Sequence, residues 1–276
     1  MTLSPRQVRD LLSTHGLTPS RALGQNFVAD PNTVRRIARL AEVGPGDHVV
    51  EVGPGLGSLT LALAETGASV TAVEIDRHLV PVLREVVSPV GVRVVEGDAR
   101  RLDWSSLLSE SPEWVLVANL PYNIATPLVL DLLEGVPQIR RMLVMVQREV
   151  GERLAAGVGD EGYGIPSVKV AWWATAEVVG RVPATVFVPQ PRVESALVRL
   201  VRHDVAPAGV DVDRERLFRL VDAGFGQRRK MLRRSLAGLV DASAFAAADV
   251  RPEARAEELD LAAWSRLASA PATIGS

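Results

Sequence analysis

Asn119-Leu120-Pro121-Tyr122 closes the apolar run WVLVANLPY and brings together groups suited to alkylating an exocyclic amine. Such a nitrogen is a poor nucleophile, because its lone pair is delocalised into the ring. Two acceptors, the Asn119 side-chain oxygen and the Leu120 backbone carbonyl, can hold its two hydrogens and draw it toward tetrahedral geometry. Pro121 stiffens the turn and brings no N–H of its own. No strong base is needed, since the N–H becomes acidic once a methyl begins to transfer, so positioning and electrostatics carry the reaction. Tyr122 offers a ring face for an unstacked base, worth roughly 1–3 kcal/mol, and extruding that base costs about a few kcal/mol. Phe187, in Val186-Phe187-Val188-Pro189-Gln190-Pro191, is the candidate for a second stacking partner, although an ordinary core Phe would read the same.

A group donor needs its own cradle, and Glu51-Val52-Gly53-Pro54-Gly55-Leu56-Gly57 supplies one. Gly53 and Gly55 let the backbone approach a ligand closely, and the helix that follows favours negative charge at its start. Nineteen residues past Gly55 stands Glu74, placed to accept two hydrogen bonds from a ribose diol. These two features alone fit NAD and S-adenosylmethionine equally. The spacing is G-x-G-x-G, however, where a dinucleotide fingerprint needs G-x-G-x-x-G. The third predicted strand also ends in Gly97-Asp98-Ala99, whose carboxylate could take an adenine amino group or simply cap the next turn. Two acids at successive strand ends suit a nucleoside without phosphates, which favours S-adenosylmethionine.

The elements that must hold these groups are legible from periodicity. HVVEVG, SVTAVEID, VRVVEGDA, WVLVANLPY and RMLVMVQ read as strands separated by amphipathic helices. This α/β pattern predicts a parallel, doubly wound, Rossmann-like sheet with ligands at the strands' carboxyl ends. Residues 5–15 and the stretch from Asp30-Pro31 to Leu40 read as helices. Residues 176–201 hold two more strands around a Pro-rich loop. Residues 203–211 read as a linker and the rest as helical. The predicted division is a methyltransferase domain over 1–202 and a small helical RNA-binding domain over 203–276.

Composition narrows the class. Of 276 residues 47% are hydrophobic and 23% charged, as in a globular chain. With no Cys there are no disulfides, thiolate nucleophiles or zinc fingers. The four His are scattered, so no metal is expected, and the Ser residues lack a nucleophile elbow. Without a membrane-span-length apolar run or a signal-type N-terminus, the expectation is a cytoplasmic protein, taken as a monomer. Net charge is −2, yet residues 1–40 carry six Arg against two Asp, and residues 214–234 carry seven Arg and one Lys against two acids. Arg229 with Arg233, and Lys230 with Arg234, are i,i+4 pairs expected on one helical face. Like charges so close repel, and phosphates opposite them would offset the cost.

With these residues in hand the chain resembles the KsgA family of small-subunit ribosomal RNA adenine-N6 dimethyltransferases. Leu23-Gly24-Gln25-Asn26-Phe27-Val28, EVGPGLGSLT, VEID, GDA, NLPYN and FVPQPRVESALVRL follow in family order. Phe225, Gln227 and Arg228-Arg229-Lys230-Met231-Leu232 match its F-x-Q-R-R-K-x-L element. Val28 stands where Leu is commoner. The resemblance implies a class I methyltransferase with a helical C-terminal domain, using S-adenosylmethionine to dimethylate two adjacent adenines in the 3′-terminal hairpin of 16S rRNA in an assembling subunit. It implies that Asn26, Val28, Gly53 and Gly55 meet the donor, with Glu74 on the ribose, Asp98 on the adenine and Asn119 on the target amine. Arg228, Arg229, Lys230 and Arg233 would contact RNA.

Three alternatives bear weighing. An Erm-type enzyme, which modifies one adenine of large-subunit rRNA, shares fold, donor and chemistry, but Tyr122-Asn123 and the RRK element resemble the small-subunit branch. An RNA-binding assembly factor without catalysis is disfavoured by the intact Gly53, Glu74, Asp98, Asn119 and Tyr122. An NAD-dependent oxidoreductase is disfavoured by the glycine spacing.

Overall fold

The computed structural model describes residues 2–20, 22–121, 124–205 and 212–270. Among these lie nine strands: β1 (Phe27–Val28), β2 (His48–Val52), β3 (Ser69–Glu74), β4 (Arg93–Glu96), β5 (Trp114–Asn119), β6 (Ile139–Gln147), β7 (Ala174–Val182), β8 (Phe187–Val188) and β9 (Ser195–Arg202). The helices are α1 (Pro5–Thr14), α2 (Pro31–Leu40), α3 (Ser58–Ala64), α4 (Val80–Val87), α5 (Trp104–Leu107), α6 (Ala125–Gly135), α7 (Arg148–Ala155), α8 (Ile165–Trp173), α9 (Arg214–Gly226), α10 (Leu232–Ser235), α11 (Ala242–Ala247) and α12 (Leu261–Ser269). None is long and apolar enough to cross a membrane, among the described residues.

Local sequence explains the helix starts. Ser4 closes a capping box with Gln7 at the head of α1. The Asp30 carboxylate accepts from the Thr33 amide ahead of Pro31, where a missing N–H costs nothing.

The large sheet runs β4-β3-β2-β5-β6-β9-β7. Pairs β2–β3, β2–β5, β3–β4 and β5–β6 are parallel. The five strands read from periodicity pair parallel as expected, and beyond them β9 pairs antiparallel with β6. The chain reaches β9 from its neighbour β7 through 183–194, which holds one 3-10 turn and β8 and no helical crossover. After β4 the chain returns to lay β5 beside β2, so the order reverses between β2 and β5 and opens a crevice at their carboxyl ends.

A second, two-stranded sheet is made by β1 and β8, antiparallel, with Phe27 opposite Val188 and Val28 opposite Phe187. Cross-strand partners share a face. Val28 and Phe187 enter one core cluster with Val34 and Ile37 of α2 and Leu59 and Leu63 of α3. Phe27 and Val188 join another, with Val8 and Leu12 of α1 and Leu79 and Leu83. The α3 helix is buried from Ser58 through Leu63, as an apolar helix against a sheet should be.

The chain separates into two compact units. One holds residues up to Gly151 together with Ala176–Arg202, and the other holds Glu152–Thr175 together with the chain from His203. The sequence division put all of 1–202 in one domain, whereas Tyr163, Val168 and Trp172 share the second unit's core with Leu217, Leu220 and Trp264. The Tyr163 hydroxyl donates to the Leu259 carbonyl at 2.7 Å. At Gly224 an added Cβ would lie 2.7 Å from the Trp264 ring, so α9 and α12 pack too closely for a side chain there.

Candidate active site

The crevice beyond β2 and β5 holds a cavity at the carboxyl ends of the strands, where ligands bind in open α/β sheets. Its walls come from the segment before β1 (Gln25, Asn26), the turn after β2 (Gly53, Gly55), the end of β3 (Glu74, Ile75) and the end of β5 (Asn119, Pro121).

The glycine turn is held from two sides. Gly53 donates its amide to the Val73 carbonyl at 3.0 Å. The Gly55 amide donates to Glu74 Oε2 at 3.0 Å. Gly55 has φ +58°, and an added Cβ would lie 2.7 Å from Phe27 Cδ1, so the backbone passes directly under that ring. Glu74, the last residue of β3, is buried, and its other oxygen accepts from the Asp76 amide at 2.9 Å. Burial pushes its carboxyl above the usual carboxylate range, with the amides of Asp76 and Gly55 opposing.

Asn119, the last residue of β5, donates from Nδ2 to the Asn26 backbone carbonyl at 3.0 Å. A carbonyl can only accept, so this bond fixes the amide's orientation and leaves Oδ1 as the acceptor. Asn26 is held in turn, its Nδ2 donating to the Gly24 carbonyl at 3.1 Å. Leu120 is buried, its amide bonded to the Met145 carbonyl at 3.0 Å. Asn119, Leu120 and Pro121 therefore meet Asn26, Val28, Gly53, Gly55 and Glu74 around one cavity. Tyr122 lies outside the described residues.

Other predicted residues stand elsewhere. Asp98 does not line the cavity. Its Oδ1 accepts from the Arg100 amide at 2.9 Å, and Oδ2 lies 3.8 Å from Arg101 Nε. Phe187 is buried, its register opposite Val28 placing it in the α2–α3 core cluster. The basic run is not one helical face either. Its helix, α10, begins only at Leu232, and residues 227–230 form turns. Arg228 Nε donates to Glu257 Oε2 at 2.7 Å, and Arg233 pairs with Glu253 at 3.3 Å. Arg229, Lys230 and Arg234 are exposed and carry no ion pair among the described residues.

Sequence reasoning missed Gln25 and Glu51. Gln25 Nε2 donates to Asp76 Oδ2 at 2.7 Å and its Oε1 accepts from the Ser20 amide at 2.7 Å, so it ties the segment before β1 to the end of β3. Glu51 is an acid inside the apolar strand HVVEVG, two residues before Gly53 on the same face, and that placement was a usable signal.

Among the described residues the cavity's ionisable side chains are Glu51 and Glu74, with no Arg, Lys or His in its walls. Acidic side chains with no basic one among the described walls suit a cationic nucleoside better than a pyrophosphate. No group of three His, Cys, Asp or Glu placed to hold a metal occurs among the described residues.

Sheet order, glycine turn and a strand-end acid together define a Rossmann-like class I methyltransferase. The profile of the family described as ribosomal RNA adenine dimethylase matches residues 17–272. Proteins described as ribosomal RNA small subunit methyltransferase A are similar along nearly the whole chain. That of Leifsonia xyli is 49% identical, covering 97% of this chain and 98% of its own. That of Bifidobacterium longum is 46% identical, covering 99% and 94%. Among solved structures, a dimethyladenosine transferase from Plasmodium falciparum aligns with TM-score 0.74 at 23% identity, over 87% and 95%, which supports the fold. The 23S rRNA methyltransferase ErmE aligns with TM-score 0.69 at 30% identity, over 88% and 98%. The chain belongs to the ribosomal RNA adenine dimethylase family.

Proposed function

We propose that this enzyme transfers methyl groups from S-adenosylmethionine to N6 of two adjacent adenines in the 3′-terminal hairpin of 16S rRNA, dimethylating each during small-subunit maturation in the cytoplasm. The observation that carries this reading is the Asn119 amide, whose Nδ2 is taken by the Asn26 carbonyl and whose Oδ1 is left to accept an amine hydrogen. S-adenosylmethionine, when bound, supplies a methyl on a sulfonium, and its positive charge matches a cavity whose ionisable side chains, among the described residues, are acids.

The residues divide the work by position. Asn26 and the Val28 backbone would face the methionine end, with Gly53 beneath it. Glu74 would accept from the ribose, exchanging its bond from the Gly55 amide, and half-exposed Ile75 offers an apolar face for the adenine ring. Asp98 would reach the adenine amino group by leaving its turn. On the substrate side, Asn119 Oδ1 and the Leu120 carbonyl would hold the two N6 hydrogens, aim the lone pair at the methyl and accept the proton density that builds as the N–H turns acidic. Tyr122 would stack on the extruded base. In the basic run of 228–234, Arg229, Lys230 and Arg234 are exposed and would meet RNA phosphates, since Arg228 and Arg233 are already paired to acids.

The 45–50% identity to small-subunit methyltransferases, against 30% to ErmE, favours the small-subunit adenines over a large-subunit target. The test is nucleoside mass spectrometry of 16S rRNA from undermethylated subunits incubated with enzyme and donor. Two N6,N6-dimethyladenosines per 16S molecule are expected, and their absence with donor binding intact would refute the reading.

A further inference from the structure

Residues 23–26 line the active-site cavity with no helix or strand among them, so individual bonds must set where they lie. Gln25 makes three. Its amide donates to the Ser20 carbonyl at 3.0 Å, its Oε1 accepts from the Ser20 amide at 2.7 Å, and its Nε2 donates to Asp76 Oδ2 at 2.7 Å. The first two close the segment on itself, and the third ties it to the loop after β3. Asp76 is a fixed anchor. Its amide donates to Glu74 Oε1 at 2.9 Å, its Oδ1 accepts from the His78 amide at 3.0 Å, and its carbonyl accepts from the Leu79 and Val80 amides at 2.9 and 3.2 Å. Oδ2 is thus the oxygen given to Gln25, and a carboxylate acceptor makes that bond a charge-assisted one.

The residue after Gln25 carries the bond that orients Asn119, whose Nδ2 donates to the Asn26 carbonyl at 3.0 Å. One chain of bonds therefore runs from Glu74 through Asp76 and Gln25 to the Asn26 carbonyl and the Asn119 amide, all within one compact unit. Resting on the proposed methyl-transfer reading, we propose that Gln25 and Asp76 are positioning residues for the reaction: their bond holds the Asn26 carbonyl where it keeps Asn119 Oδ1 turned toward the target amine. Neither side chain touches the amine. Their contribution is geometric, and a misplacement of about 1 Å can cost about 100-fold in rate. The bond also has a direction, from an amide N–H to a carboxylate. Exchanging the two groups, by Gln25→Glu together with Asp76→Asn, reverses that direction and preserves the neighbouring bonds. The carboxylate at 25 would accept from the Ser20 amide and from the new amide at 76, whose oxygen would still accept from the His78 amide.

The test is single-turnover methyl transfer to undermethylated small subunits at saturating S-adenosylmethionine, for wild type, Gln25→Glu, Asp76→Asn and the double exchange. Gln25→Glu alone sets two carboxylates face to face. Asp76→Asn alone offers one oxygen to two donors, Gln25 and the His78 amide, whichever way the new amide turns. Each single variant should lose about tenfold or more in rate, and the double exchange should return to within about threefold of wild type. Hydrogen exchange over residues 20–28 should follow the same order without any activity, faster in each single variant and restored in the double. Single variants that keep the wild-type rate, or a double variant as slow as the two losses multiplied, would overturn the proposal. A wild type that binds donor and transfers no methyl would instead refute the proposed function. Hydrogen exchange then decides alone, and unchanged exchange in the single variants would overturn the clasp as well.

Discussion

Replacing Gly55 by Ala tests whether the glycine turn and the segment bearing Asn26 form one donor site. At φ +58° an L-residue costs about 1–2 kcal/mol of backbone strain. The new methyl would also lie 2.7 and 2.8 Å from two carbons of the Phe27 ring. That ring is buried among Val8, Leu12, Leu56 and Leu83 and belongs to the β1–β8 pair, so it moves only if β1 shifts with it. Overpacking of this kind costs about 1–3 kcal/mol, giving a total of about 2–5 kcal/mol by adding the two ranges. Gly16 supplies the control, since its φ is +61° and an added Cβ there meets nothing within 4 Å. In thermal melts Gly16→Ala should show the backbone cost alone, and Gly55→Ala that cost plus the clash, at roughly 2–4 °C per kcal/mol. Because the Asn26 carbonyl next to Phe27 orients Asn119, donor affinity should fall at least tenfold in Gly55→Ala and stay unchanged in Gly16→Ala. Equal melting losses with unchanged donor affinity would refute the reasoning.

Three further outcomes are expected. Without donor, the folded Glu51 carboxyl at about 8 lies above its ordinary 4.5, so the contribution of this group to stability is fully present below pH 4.5 and is lost as pH rises toward 8. Denaturation across pH 5–8 should show Glu51→Gln lacking that decline, and parallel curves would contradict it. Asn119→Ala should lower methyl transfer at least 100-fold while single-turnover assays and titration show donor affinity within about tenfold; equal loss of donor binding would remove Asn119 from the amine. Reversing Arg229, Lys230 and Arg234 to Glu should weaken subunit binding with a shallower salt dependence and leave donor binding alone, and an unchanged filter-binding curve would return them to plain surface.

The alternation of strands and helices, the Asp30-Pro31 start of α2 and the glycine turn were legible because each depends on neighbours in sequence. What the sequence hid depends on distant pairing. Val28 meets Phe187 through two two-residue strands, too short to show a period, and only that register reveals that Phe187 belongs to the core. Residues 163–172 read as a continuation of the first domain, yet their aromatic side chains fill the second unit's core, a choice made by packing and not by local pattern. The RRK element looked helical from charge spacing, but the turn at 227–230 delays the helix to Leu232 and commits Arg228 and Arg233 to Glu257 and Glu253. The Asn26–Asn119 bond joins residues 93 positions apart, and no spacing rule reaches that far.

The most direct test of the central claim is to incubate the enzyme with labelled S-adenosylmethionine and undermethylated small subunits, with large subunits in parallel, and to map the label by primer extension. Label on two adjacent adenines of the 16S 3′-terminal hairpin, lost in Asn119→Ala, is the predicted result. Label on a large-subunit adenine, or on neither subunit while the donor binds, would contradict it.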